Sequence, residues 1–166
     1  MVVWKVHGIN LKKHGGGLVA YQGSINLNQD WILQFDWKYI SGGASDWNHI
    51  FSFGTHNYYG GDSSYYAIYD QGPRDGTGIM HVSRDSSKYH TYKAIYDSTN
   101  KLLYGYDNNI LVNTQNVSLG ITSGLYFNGS GSAYRMNAYL KNVKFGLGIK
   151  EFRPDYNFIY NNIKIS

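Results

Sequence analysis

A chain of 166 residues, 42% hydrophobic, 17% aromatic and 16% charged, has apolar material for one packed core and too little charge for a disordered polymer. The formal net charge is +4, but the lysines stand singly apart from Lys12-Lys13; no basic stripe is read, and no nucleic-acid partner is expected. The lack of cysteine excludes disulfides, thiolate metal sites and cysteine nucleophiles, and no apolar run reaches the roughly 18 to 20 residues of a membrane helix, so no membrane partner is expected.

Residues 2–7 read as a first strand, and residues 18–27 as one or two strand pieces about Gly23. Residues 31–40 alternate most clearly, with Trp31, Leu33, Phe35, Trp37 and Tyr39 on one side and Gln34, Asp36 and Lys38 on the other. One face is therefore core and the other wet. A Gly/Ser/Asp loop at 41–47, a strand at 49–54 and a polar loop at 55–64 follow. Residues 65–70 and 78–84 are predicted to pair across 71–77, where Gly-Pro and Asp-Gly punctuate a turn.

Residues 89–112 carry a hairpin signature: Tyr92, Ala94 and Tyr96 point one way and Thr91, Lys93 and Ile95 the other. After the turn Asp97-Ser98-Thr99-Asn100, Leu102, Tyr104 and Tyr106 are predicted to resume the buried side, and Asp107-Asn108-Asn109 forms a second turn. Residues 121–127 and 133–145 complete about a dozen strands, while alanine and glutamate are too scarce to build helices. The expected fold is an all-β, antiparallel two-sheet sandwich of jelly-roll type over residues 1–150, with 151–166 as a terminal strand or tail.

The hairpin resembles the laminin-G-like branch of the concanavalin-like lectin/glucanase superfamily, which typically runs Trp-His-His-x-Ala-x-x-Tyr-Asp and then Leu-x-Leu-Tyr-x-Asp-Gly. Tyr89 stands where the Trp is common, followed by His90, Tyr96 and Asp97, then Leu102, Tyr104 and Asp107. WILQFDWKYIS, HIFSFG and GLYFNGSGSAYRMNAYLKNVKF are similar to the family's neighbouring and closing strands. Asn108 replaces the turn glycine, and Lys141-Asn142 replaces an Asp-Asp pair that gathers negative charge in some members. The resemblance implies a sandwich whose concave sheet or rim loops bind a ligand, most often a glycan and sometimes a protein.

Relatives that hydrolyse glycosides use a carboxylate pair on one strand. The single glutamate, Glu151, lies outside the similar segment, and Asp36, Asp70 and Asp85 occur singly, so no glycosidase is expected. A polysaccharide lyase, which could use Tyr, His, Arg and Lys against a uronate, stays open as an alternative. His7, His14, His49, His56, His81 and His90 show no metal-ligand spacing and are expected on strand surfaces and in loops. Asp46, Asn48, Asp62 and Asp75 are loop candidates for calcium, although turn chemistry explains the same residues; no cofactor is required.

Sugars present apolar faces to aromatic rings and hydroxyls to short polar groups, and such mixtures occur at 57–66 and at 71–84, the latter including Arg74. Trp31, Phe35, Trp37, Tyr92, Tyr96 and Tyr104 are assigned to the core instead. The expected function is non-catalytic carbohydrate binding by Trp47, Tyr58, Tyr59, Asp62, Asp75, His81 and Arg84, with a glycan or polysaccharide as partner. The alternative is a structural or adhesion domain of a phage or viral fibre or capsid, partnered by other protein subunits. No export signal is read at the start, and the expected location is extracellular, on a cell surface or on a virion.

Overall fold

The structure, a computed structural model, describes residues 2–6, 9–10, 18–42, 49–53, 66–69, 78–81, 85–127, 136–153 and 159–160; these form strands and connections, with no helix among them. The larger sheet runs from edge to edge as β10 (Ile110–Asn116), β9 (Leu102–Asp107), β8 (His90–Asp97), β4 (Trp31–Gly42), β12 (Met136–Leu147), β1 (Val2–Val6) and β13 (Ile159–Tyr160). The short β2 (Ile9–Asn10) also pairs with β12. The smaller sheet is β3 (Leu18–Asn26), β11 (Ile121–Phe127), β5 (His49–Phe53), β6 (Tyr66–Tyr69) and β7 (Gly78–His81). Together they make the expected two-sheet, predominantly antiparallel β-sandwich of jelly-roll, concanavalin-like type.

Period-two alternation places the core between the sheets. Trp31, Leu33, Phe35 and Trp37 of β4 are buried beside Tyr92, Ala94 and Tyr96 of β8 and Ala138, Leu140, Val143 and Phe145 of β12. They meet Ile25, Phe51, Phe53 and Leu125 from the smaller sheet. The contact is largely aromatic: Trp31 and Phe53 have ring centroids 5.4 Å apart, Phe35 and Phe51 4.7 Å, and Phe53 and Phe145 5.5 Å. The Tyr96 hydroxyl donates to the Val117 carbonyl at 3.1 Å, which satisfies the polar end of a buried ring.

Both hairpin turns form. The Asp97 carboxylate accepts from the Thr99 and Asn100 amides at 3.1 and 3.3 Å and from Asn100 Nδ2 at 2.9 Å. Asn100, above all, holds that carboxyl down at about 2. Asn108 and Asn109 take φ of 48° and 66° between the paired Asp107 and Ile110, the backbone of a two-residue turn that suits Asn.

The β9 phase differs from the sequence expectation. Leu103 and Gly105 are buried, whereas Leu102, Tyr104 and Tyr106 are half-buried on the outer face. Asp97 pairs with Leu102, so residues 98–101 form a four-residue loop, with Lys101 in the left-handed region at φ 56°. Directly opposed residues share a face; Leu102 therefore joins outward-facing Asp97, and every later side chain in β9 follows.

A second correction concerns β6 and β7, which do pair, but in parallel, with Ala67 opposite Gly78 and Tyr69 opposite His81. Four-residue strands are short enough for the eight intervening residues, which reach at most about 26–29 Å, to return to the starting end. Turn residues mark where the chain breaks, not the direction in which it re-enters. β7 also comes within 8 Å of β9 and β10, Cα to Cα, and so closes one side of the sandwich.

Beyond β12 the chain folds back on the outer face of the larger sheet. The Gly148 amide donates to the Asp30 carbonyl at 2.7 Å, and Lys150 Nζ lies 3.2 Å from Asp97 and 3.5 Å from Asp30. A Cβ on Gly146 would stand 2.5 Å from Ile149 Cδ1 and 2.8 Å from its Cγ1, and Gly146 is paired with buried Ile32. Gly146→Val is expected to cost about 1–3 kcal/mol, with part recovered in the Gly146→Val/Ile149→Ala double variant. Chemical denaturation measures both, and an unchanged midpoint for Gly146→Val rules out this close packing.

Candidate functional site

The outer face of the larger sheet gathers polar and aromatic side chains that are far apart in sequence. Its register sets Tyr106 of β9 opposite Lys93 of β8, Lys93 opposite Gln34 of β4, and Gln34 opposite Lys144 of β12. The ladder continues to Lys5 of β1. Beside this row lies another, Thr91, Asp36 and Lys141. Tyr139 stands opposite Lys38 one step further along.

These side chains hold one another in place. Lys93 Nζ sits 4.8 Å from the Tyr106 ring centroid and 3.4 Å from Asn109 Oδ1, and Lys141 Nζ sits 3.9 Å from the Tyr89 centroid. Asp36 accepts from Thr91 Oγ1 at 2.8 Å through one oxygen and from Asn142 Nδ2 at 2.6 Å through the other. Asn142 can reach it because the β12 register shifts between Lys141 and Lys144, where Asn142 adopts φ 53°. Burial, then the neighbouring Tyr139 and the Asp36 carboxylate, pushes the Tyr89 phenol above its ordinary range. The face thus offers ammonium, amide, hydroxyl and aromatic groups on a rigid sheet. It holds no adjacent carboxylate pair of the kind glycoside hydrolysis uses among the described residues.

The lysines that stand singly in the sequence therefore converge. Lys38, Lys93, Lys141 and Lys144 are all half-exposed on one face, a correction to the expectation of scattered charge. Period two places alternate residues outward, but only the register across four strands shows that the outward lysines fall side by side.

His90 is the second departure. Rather than lying on a strand surface it is buried, 8% exposed, and stacks on Tyr92 with centroids 5.8 Å apart. Its Nδ1 is 2.9 Å from Asp107 Oδ1, and its Nε2 is 3.1 Å from Asp85 Oδ2. The fold thus brings together two aspartates that are isolated in sequence. With a carboxylate at each nitrogen the ring ties residues 85–89 to the start of the β9–β10 turn, and neither nitrogen is left to act on a substrate.

Burial opposes charge on His90, but the hydrogen bonds and charges of Asp85 and Asp107 outweigh it and raise the imidazole pKa. Bonds from Ser87, then His90, hold Asp85 well below the carboxylate range, so it stays ionised near neutrality. A raised His pKa contributes stability below the unfolded value of about 6.5 and loses it as pH rises through the folded value. The wild type should lose stability as pH rises from about 6.5 through the raised folded value, and His90→Gln should flatten that slope. Melting temperatures across that range check this; parallel curves for the two proteins would remove the role given to His90.

Of the residues singled out from sequence, Trp47, Tyr58, Tyr59, Asp62, Asp75 and Arg84 lie outside the described residues, as do the calcium candidates Asp46 and Asn48. His81 is placed by its backbone alone, as the last residue of β7. No group of three or more His, Cys, Asp or Glu able to hold a metal occurs among the described residues.

No protein-family profile and no curated protein matches this chain. Solved structures do. The chain is similar to Trypanosoma rangeli sialidase, with a TM-score of 0.51 and 13% identity over 89% of this chain and 31% of that one. It is also similar to the Emp47p carbohydrate recognition domain, with a TM-score of 0.47, 15% identity, and 78% and 77% covered. A third similarity is to the alginate lyase AlgAT5 of Polysaccharide Lyase family 7, with a TM-score of 0.40, 14% identity, and 76% and 58% covered. The chain spans under a third of the sialidase's length, and likeness at this identity concerns the fold alone.

Proposed function

We propose that this chain is a non-catalytic carbohydrate-binding domain of the laminin-G-like kind, acting outside the cell or on a virion and needing no cofactor. The observation that carries the proposal is the cross-strand row Tyr106, Lys93, Gln34 and Lys144, beside the Thr91, Asp36 and Asn142 cluster. A sugar can lay its apolar face against Tyr106, while Gln34 and the neighbouring hydroxyl and amide groups take its hydroxyls. Asp36 supports this orienting role because both its oxygens are engaged and no second carboxylate is paired with it among the described residues. The sialidase, the carbohydrate recognition domain and the alginate lyase are each named for work on carbohydrates. Trp47, Tyr58, Tyr59, Asp62, Asp75 and Arg84 belong to the proposal as further ligand contacts, together with His81 at the end of β7.

Titration calorimetry against a polysaccharide panel tests it. Reversible binding without product release is expected, weakened roughly threefold to tenfold by Tyr106→Ala. Failure of the whole panel, combined with a defined oligomer in light scattering, would favour the virion or adhesion alternative.

A further inference from the structure

We infer that the outer face of the larger sheet binds an internal stretch of a linear glycan, with Tyr89 and Tyr139 as a second aromatic subsite beyond the Tyr106 row. This deepens the glycan proposal and rests on it. Tyr89, immediately before β8, and Tyr139 of β12 are each 39% exposed. Lys141 Nζ, 3.9 Å from the Tyr89 centroid, holds that ring in place, so its exposed part is oriented before any ligand arrives. After burial, the main cause, the Tyr139 phenol helps to raise the Tyr89 pKa, which makes the two rings neighbours. Single exposed rings are ordinary on a protein surface. Two neighbouring rings beside Lys38, Asp36 and Thr91 repeat the mixture of aromatic and hydrogen-bonding groups found around Tyr106.

The register sets the spacing between the two subsites. Tyr106 stands opposite Lys93, and Tyr89 precedes Lys93 by four residues, so one strand spacing and four residue rises separate the Tyr106 and Tyr89 backbones by about 14 Å. One sugar ring cannot touch both. A span of about 14 Å is comparable with about three linked sugars, laid along the line of β8 over Thr91 and Asp36. The opposite end of the face is closed by the chain beyond β12. Gly146, opposite buried Ile32, packs against Ile149, and Lys144 Nζ lies 5.8 Å from the Phe152 ring centroid. The face therefore extends from Tyr106 towards Tyr89 and Tyr139 rather than towards Trp31. A chain resting on both subsites makes its second contact within the same complex, which raises affinity although each contact is weak.

Chain length is the test. The polysaccharide panel is run with xylan, mannan, pullulan and alginate, and oligosaccharides of two and six units cut from the polymer that binds are then titrated by calorimetry. A hexasaccharide offers overlapping disaccharide registers, which alone raise its affinity by about fivefold. The expected result is a gain above that factor, and Tyr89→Ala should weaken hexasaccharide binding roughly threefold to tenfold while changing disaccharide binding less than about twofold. Tyr139→Ala serves as the second variant, and thermal melts check that both fold. The wild-type length series decides even where a variant is unstable. A hexasaccharide gain of about fivefold or less, or full hexasaccharide binding by both folded variants, overturns the inference and leaves the glycan proposal standing. If no polymer of the panel binds, the glycan proposal falls and the second subsite falls with it.

Discussion

Trp31→Ala is expected to lower the unfolding free energy by about 3–5 kcal/mol and the melting temperature by roughly 6–20 °C. Trp31 is fully buried at the meeting point of both sheets, against Phe53 at 5.4 Å, Tyr96 at 6.0 Å and Phe145 at 6.1 Å. Removing the indole strips partners from the larger sheet on the two neighbouring strands β8 and β12 and from the smaller sheet at β5, and it leaves a cavity that packed aromatic rings cannot collapse to fill. Since domains of this size are typically stable by about 5–15 kcal/mol, the variant should be marginal at physiological temperature. A denaturation midpoint within error of wild type would show that this ring is not central to the core.

Leu103→Ala should cost about 2–5 kcal/mol and Leu102→Ala less than about 1 kcal/mol, although both leucines are equally hydrophobic neighbours. Leu103 is fully buried in the core cluster, while Leu102 faces outward opposite Asp97. Denaturant titration of the pair reads the strand phase directly. The reverse order of costs would restore the alternation expected from sequence and turn Tyr104 and Tyr106 inward.

That pair shows where legibility in the sequence ends. In β4 and β8 the apolar residues sit at every second position against clearly polar ones, so Trp31 to Trp37 and Tyr92 to Tyr96 are assigned to the core correctly. In β9, Leu102, Leu103, Tyr104 and Tyr106 suit either face, and loop length decides between them. The parallel pairing of β6 with β7 has no local signature at all. Asp85 and Asp107 meet His90 across 5 and 17 positions, and Lys93 lines up with Lys144 through two strand pairings; both depend on register, which period-two patterning does not encode. The candidate site is legible as residue types, and its geometry comes from the ladder.

The most direct measurement is amide chemical-shift mapping of the full chain with an oligosaccharide of whichever panel polysaccharide binds it. Saturable shifts should concentrate at Gln34, Asp36, Lys93, Tyr106, Lys141 and Lys144, which the register groups on one face. Shifts confined to residues 43–48 and 54–65 with a saccharide that binds would contradict the assignment of ligand binding to the outer face of the larger sheet.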